Sequence, residues 1–201
     1  MTLVLASDNK KKIAELQSIL SDMDVDLITK TEAGVLEEIE ETGTTFEVNA
    51  IIKAEHVAKA CGLPAVSDDS GLMVDSLGGE PGVYSKRYAG EDATDEERVE
   101  YLLSKMKSVE DRRAKFVSAV SFCLPDGRSF TVMGECCGVI TDKPRGEGGF
   151  GYDPIFLPDG FTETFSELSA EKKNSISHRG KALVKFKKEL RSFLRDNKIE
   201  A

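Results

Sequence analysis

The chain has 201 residues, with 27 Lys and Arg against 36 Asp and Glu, which gives a formal net charge of −9. Its 40% hydrophobic and 31% charged residues are typical of a folded globular protein and exclude a disordered one. The length suits one large domain, or one domain folded as two lobes. The net negative charge argues against a general binder of nucleic acid or of acidic membranes.

The basic residues gather at the end of the chain, where residues 172–201 hold ten Lys or Arg and three Asp or Glu. Such a run is usually the solvated face of a terminal helix, and the alternative is that part of it faces a small polyanion. The sequence has no run of the roughly 20 apolar residues that a membrane span needs. Its four cysteines form no C-x-x-C pair, which is typical of reduced thiols, so we expect a cytoplasmic protein.

In chain order, the first half predicts strand, helix, helix and strand. Thr2–Ala6 is a short apolar run typical of a buried strand, and Ser7–Asn9 follow it as a polar turn. Apolar residues at helical spacing predict a helix from Lys10 and a second helix over Phe46–Cys61. A strand begins at Pro64 and is expected to end in the acidic sequence D-D-S-G.

The second half adds a hairpin and a glycine-rich loop. Thr94 to Glu97 fit a capping box at the start of a helix. Residues 114–124 and 129–140 are rich in β-formers and flank the turn sequence P-D-G, which predicts a long hairpin. Residues 146–151 form a glycine-rich loop, and the last helix starts near His178. We therefore expect an α/β fold with a mixed, twisted β-sheet and flanking helices, folded as one two-lobed domain over residues 1–201.

Two candidate sites follow strands in the first half. At Ser7–Lys12, a hydroxyl, an amide and free backbone N–H groups at a helix start can bind an anion, and the lysines add charge suited to phosphate. The alternative is a plain helix cap followed by exposed lysines. In Asp68–Gly71, two adjacent carboxylates repel each other unless they share a cation or a proton. One of them could hold Mg²⁺ or activate water, and the alternative is a polar turn.

Two further candidates lie in the second half. In the glycine-rich loop, an aromatic ring of F-G-Y-D can stack on a base and the Asp can accept hydrogen bonds, unless this is an ordinary surface loop. His178 stands at a helix start between Ser177 and Arg179. No P-loop, dinucleotide-binding or nucleophile-elbow motif is present. Together these signals predict an enzyme that acts on a nucleoside polyphosphate with Mg²⁺.

Six segments carry a family resemblance, and they occur in the family's order: S-D-N-K-K-K, E-T-G-T-T-F-E-V-N-A-I-I-K-A, S-D-D-S-G-L, G-G-E-P-G-V-Y-S-K-R-Y-A-G, G-G-F-G-Y-D-P-I-F and S-I-S-H-R-G-K-A-L. Over residues 2–195 the chain resembles the inosine triphosphate pyrophosphatase family, the bacterial XTP/dITP pyrophosphatases. The resemblance implies two lobes around a central active-site cleft and a homodimer. It also implies Mg²⁺-dependent hydrolysis of ITP, dITP and XTP to the monophosphate and pyrophosphate, which keeps these bases out of DNA and RNA, with no nucleic-acid or membrane partner.

The resemblance also assigns roles to residues. Asp69 would be the general base and a metal ligand, and Glu40 the second metal ligand, with neighbouring Glu41 left open. The substrate-binding residues would be Ser7, Asp8, Asn9, Lys10, Lys11, Lys12, Lys53 and Ser70 on the phosphate side, and Phe150, Gly151, Tyr152, Asp153, Lys173, His178 and Arg179 on the base side. Two residues depart from the family pattern: Val48 replaces a frequent Glu, and Lys86 replaces a small residue.

Three other functions remain as alternatives. A Maf-like pyrophosphatase of modified nucleotides should lack F-G-Y-D and S-H-R, which are present here. A nucleotide-binding regulatory module without turnover would not need Asp69 beside other acidic residues. An RNA-binding protein is disfavoured by the net charge and by the absence of an RNA-recognition motif.

Overall fold

The computed structural model describes residues 1–199, apart from the side chains of Lys10 and Lys11. The strands are β1 (Thr2–Leu5), β2 (Asp26–Thr29), β3 (Ala65–Val74), β4 (Arg113–Cys123), β5 (Ser129–Ile140) and β6 (Phe156–Pro158). The α-helices are α1 (Lys10–Leu20), α2 (Phe46–Cys61), α3 (Asp95–Lys105), α4 (Ala170–Ile176) and α5 (His178–Asp196). Short 3₁₀ helices cover Asp75–Leu77, Gly82–Arg87 and Asp153–Ile155.

The six strands form one mixed sheet in the order β2-β1-β3-β4-β5-β6. The first strand is parallel to both of its neighbours, with Leu3 opposite Leu27 on β2 and Val4 opposite Ala65 on β3. The last strand is antiparallel to β5, with Ile140 opposite Phe156. The predicted α/β fold with a mixed sheet and flanking helices is therefore confirmed.

The chain divides into two compact units. Unit 1 comprises residues 1–69, 118–134 and 181 onward, and unit 2 comprises residues 70–117 and 135–180. Each unit has its own hydrophobic core. Fully buried side chains at the centre of unit 1 are those of Leu3, Phe122, Phe186 and Leu190, and those of unit 2 are Leu72, Leu102, Ile155 and Phe156.

Local sequence signals explain where several elements begin and end. Helix α2 starts after Thr45, whose hydroxyl accepts from the Val48 N–H, and ends at Gly62 in the left-handed conformation. Helix α3 has the predicted capping box between Thr94 and Glu97. The predicted hairpin is also confirmed, because β4 and β5 are sheet neighbours joined by a turn in which the Leu124 N–H donates to the Arg128 carbonyl.

Strand β3 differs from the prediction. It does not end in D-D-S-G but continues through these residues to Val74. The reason is burial, since Leu72 and Val74 beyond the acidic pair are both fully buried. The paired aspartates therefore stand on a strand of the sheet and not in a turn. Within residues 1–199, no helix has the length and apolar character that crossing a membrane requires.

Candidate active site

The acidic pair lies in unit 1 at the point where β3 leaves it. Asp68 is 6% exposed, and its Oδ1 accepts a hydrogen bond of 2.9 Å from the Lys12 ammonium. Asp69 is half-buried. A buried carboxylate requires a compensating charge, and α1 supplies it here from residue 12. Asp68 thus holds the lysine of the S-D-N-K-K-K segment in place.

The ammonium group of Lys53, on α2, contacts three acidic residues. Its Nζ donates to Glu41 Oε1 at 2.6 Å and to the Asp68 backbone carbonyl at 2.9 Å, and lies 3.7 Å from Asp69 Oδ1. One ammonium therefore contacts two carboxylates, Glu41 and Asp69. Glu40 is exposed, and among the described residues it has no hydrogen bond or ion pair to another side chain. Lys53 thus brings Glu41, the alternative left open by the sequence, into one cluster with Asp69.

These two carboxylates fit a hard divalent cation. They supply oxygen ligands, which Mg²⁺ prefers, and Mg²⁺ typically takes one or two protein carboxylates and completes its shell with water and phosphate oxygens. Within the described part of the chain, no group of three or more His, Cys, Asp or Glu side chains could enclose a metal. Two carboxylates are fewer than a closed structural site needs, and they fit a cation that takes its remaining ligands from water or a bound anion.

The turn before α1 has the features of a helix cap. The Ser7 hydroxyl accepts from the Asn9 N–H at 3.2 Å, and the Asn9 side-chain oxygen accepts from the Lys12 N–H at 3.4 Å. Asp8 is turned to the segment after β2, where its Oδ1 accepts from the Thr31 N–H at 3.3 Å. Its position suits a role in holding the turn. The side chains of Lys10 and Lys11, both predicted to bind phosphate, are outside the described residues.

The glycine-rich loop of unit 2 is organised by Asp153. The side chain is 2% exposed, and its Oδ2 accepts from the Phe150 N–H at 2.9 Å and from Lys173 Nζ at 2.5 Å. Burial raises the pKa of Asp153, while Lys173 opposes this effect. Gly149 has φ +81°, and a Cβ there would collide with the Asp153 carboxylate. The loop therefore requires glycine at 149.

The same loop has one outward and one inward ring. Phe150 is 61% exposed, and Lys173 Nζ lies 4.4 Å from its ring centre. Tyr152 is buried and donates from its hydroxyl to the Ser85 carbonyl at 2.9 Å. Burial also raises the pKa of Tyr152. Tyr152 and Asp153, both predicted to contact a base, have internal contacts here that fix the loop around the exposed Phe150 ring, and their contact with a base stays a prediction.

The S-H-R segment starts α5. The Ser177 hydroxyl accepts from the Gly180 N–H at 3.1 Å and so caps the helix. His178 is half-buried and stacks on Phe116, with ring centres 4.8 Å apart and an interplanar angle of 12°. Arg179 is half-buried, as is Ser70, which follows Asp69 on β3. The structure thus supports a fixed orientation for His178 within unit 2.

Two of the remaining residues depart from the family pattern, and a third was not predicted at all. Val48 is 42% exposed in the first turn of α2, and Lys86 is exposed. Sequence reasoning missed Asp95, whose Oδ2 accepts from the Gly151 N–H at 2.6 Å. No pattern could have indicated this contact, because the two residues are 56 positions apart and Asp95 already fits the first turn of a helix.

The carboxylate–lysine cluster of unit 1 combines groups that can hold a cation and a polyanion, and the exposed Phe150 ring of unit 2 is a surface on which a base can stack. The chain belongs to the Ham1 family, whose model matches residues 3–189. It is 50% identical to the dITP/XTP pyrophosphatase of Escherichia coli strain K12, over 90% of this chain and 93% of that protein. The Geobacter sulfurreducens dITP/XTP pyrophosphatase is 48% identical, over 94% and 96% of the two chains. Among solved structures, a HAM1 protein from Coxiella burnetii has a TM-score of 0.92 and 44% identity, covering 96% of this chain and 99% of that one.

Proposed function

We propose that this protein is a house-cleaning nucleoside-triphosphate pyrophosphatase that hydrolyses ITP, dITP and XTP to the monophosphate and pyrophosphate. The observation that carries the proposal is the cluster in which Lys53 contacts both Glu41 and Asp69, in a chain of the Ham1 family. The names of its relatives agree with this activity.

In the reaction, Asp69 acts as the general base and takes a proton from the water that attacks the α-phosphorus. Lys53 and Lys12 bind the polyphosphate and stabilise the charge that develops on its oxygens. Glu41 and Asp69 would hold the divalent cation, for which we propose Mg²⁺; when bound, it neutralises the leaving pyrophosphate. Asp68 contributes by fixing Lys12, and Ser7 and Asn9 shape the turn that faces the phosphates.

On the base side, the Phe150 ring offers a stacking surface for a purine. We propose that Lys173, His178 and Arg179 supply the polar contacts. A cationic donor is compatible with the 6-oxo group of hypoxanthine and xanthine, whereas the 6-amino group of adenine would face it with another donor. Discrimination against guanine requires that its 2-amino group be left without an acceptor on binding.

The proposal also covers the oligomeric state and the cellular location of the enzyme. We propose a homodimer, which the family resemblance supports. We also propose a cytoplasmic location, because the spacing of the four cysteines is typical of reduced thiols.

The proposal is tested by pyrophosphate release from ITP, XTP, dITP, ATP, GTP and dTTP, with and without Mg²⁺. We expect turnover of the first three substrates, dependent on the metal, and kcat/KM for GTP lower by about 100-fold. Asp69→Asn should lower kcat by at least about 100-fold with an unchanged thermal midpoint, because it removes the base. Asp142→Asn, at a side chain 91% exposed, is the matched control. Equal rates on GTP and ITP, or an active Asp69→Asn variant, would contradict the proposal.

A further inference from the structure

The loop that carries Phe150 is attached to helix α3 through a carboxylate. Asp95 Oδ2 accepts from the Gly151 N–H at 2.6 Å, and Asp95 Oδ1 accepts from Arg98 Nη2. The preceding amide, Phe150 N–H, donates to Asp153 Oδ2. Two consecutive peptide N–H groups, on either side of the exposed ring, are thus each bound by a different carboxylate.

Arg98 fixes the orientation of Asp95. Its side chain is 15% exposed, and its Nη1 donates to the Lys86 carbonyl at 3.0 Å and to the Ala93 carbonyl. Nearby, the Tyr152 hydroxyl donates to the Ser85 carbonyl. The two residues that follow Phe150 are therefore both bonded to the segment 85–98 of unit 2.

The start of α3 is already capped without Asp95. Thr94 and Glu97 already form a complete capping box, and Glu96 is exposed. Of the three acidic residues in the first turn, only Asp95 reaches the glycine loop. Its charge-assisted hydrogen bond to a peptide N–H is stronger than a bond between neutral groups. The hydrogen bond from the Gly151 N–H to Asp95 therefore stabilises the glycine-rich loop as well as contributing to the helix.

We propose that Asp95, held by Arg98, is a positioning residue that fixes the Phe150 ring for stacking on the purine. This inference rests on the proposed function, in which Phe150 contacts the base. Gly151 has φ +60° and no side chain to restrict it, so without Asp95 the peptide after Phe150 gains freedom. Binding of the base must then order the loop, which weakens ground-state binding and leaves the phosphate chemistry unchanged.

The first test needs no nucleotide. The chain has no Trp, so Phe150→Trp places a single reporter in the loop. In this background Asp95→Ala should lower the fluorescence anisotropy of Trp and raise its quenching by acrylamide. Asp95→Asn, which keeps an oxygen that can accept from Gly151, should fall between Asp95→Ala and the parent. Glu96→Ala, which removes the same charge one residue later, should leave the reporter unchanged. Equal mobility in the Asp95→Ala and Glu96→Ala variants would overturn the proposal.

The second test uses steady-state kinetics with Phe150 intact. Asp95→Ala should raise KM for ITP about tenfold, with kcat changed by less than about twofold. A general loss of structure would instead lower kcat together with the thermal midpoint, and that result would overturn the positioning role, as would an unchanged KM. If the wild-type protein does not hydrolyse ITP, the proposed function fails, whereas the reporter experiment still decides whether Asp95 orders the loop.

Discussion

At the scale of single residues, each unit pairs its buried candidate carboxylate with a lysine. Asp68 contacts Lys12, and Asp153 contacts Lys173, at 2.9 and 2.5 Å. Burying an isolated carboxylate costs several kcal/mol, so each pair is a condition for the fold as well as for the chemistry. Residues proposed to bind a polyanion are thereby held in place by the protein's own acidic groups.

This pairing predicts a stability effect for Lys12. Lys12→Met removes the ammonium that Asp68 Oδ1 contacts and should destabilise the protein by about 2 kcal/mol, less than the roughly 3–5 kcal/mol of a fully buried pair because Lys12 is 25% exposed. Chemical denaturation followed by circular dichroism measures this loss. The double variant Lys12→Met/Asp68→Asn should recover most of it, because the uncompensated charge is gone.

A matched control is Lys59→Met, which breaks an exposed i,i+4 pair with Glu55 and should change the stability by less than about 0.5 kcal/mol. If the double variant is no more stable than Lys12→Met alone, charge compensation is not what Lys12 contributes to the fold.

At the scale of secondary-structure elements, the sequence predicted the helices and strands that have a periodic apolar face or a specific cap. Helix α2 was predicted over its full length, and α3 through its capping box, since Thr94 and Glu97 satisfy each other locally. Helix α4 was missed because none of its residues is buried, so it has no apolar period. Strands β2 and β6 were missed because four and three residues are too short for an alternating pattern.

The contacts within the candidate site also could not be predicted from the sequence. Residue types made the carboxylates, the lysines and the loop aromatic candidates. They could not indicate the partners of these residues, because the contacts of Lys12 with Asp68 and of Asp95 with Gly151 each join residues 56 positions apart. The contact of Glu41 with Lys53 was likewise visible only in the tertiary structure. The extension of β3 through Asp68 and Asp69 runs against strand propensity, and burial of Leu72 and Val74 overrides it.

The junction of α4 and α5 yields an element-scale prediction. Gly180 lies so close to the Asn174 carbonyl that a Cβ would collide with this backbone oxygen. Gly180→Ala should therefore displace the start of α5, with a loss of about 2 kcal/mol and a midpoint lower by about 4–8 °C. KM for ITP should rise as well, because His178 and Arg179 move with the helix start. Calorimetry and kinetics measure both effects.

Val184→Ala, at a position of α5 that is 62% exposed, is the control and should have neither effect. A Gly180→Ala variant with the midpoint and KM of the wild type would show that the junction can shift without consequence.

At the scale of the whole molecule, the two units have separate cores but are joined by continuous secondary structure. The boundaries at residues 69/70, 117/118 and 134/135 fall inside β3, β4 and β5 respectively, and the boundary at 180/181 falls in the first turn of α5. A break inside a strand would interrupt its ladder of hydrogen bonds with its sheet neighbours, so partial unfolding of one unit would leave unpaired backbone groups at the other. Separate cores alone would favour two unfolding transitions. The strands that run through both units favour a single unfolding transition.

We therefore expect the chain to unfold in a single cooperative step. Leu190→Ala in α5 and Leu102→Ala in α3 remove the same buried side chain from unit 1 and unit 2, at positions that are both 0% exposed. Each should cost about 3 kcal/mol and lower one common midpoint by about 6–12 °C. Calorimetry should give equal calorimetric and van't Hoff enthalpies in both variants, since neither substitution touches a shared strand. A second transition in either variant would mean that its unit melts alone, and that the strand boundaries do not transmit stability from one core to the other.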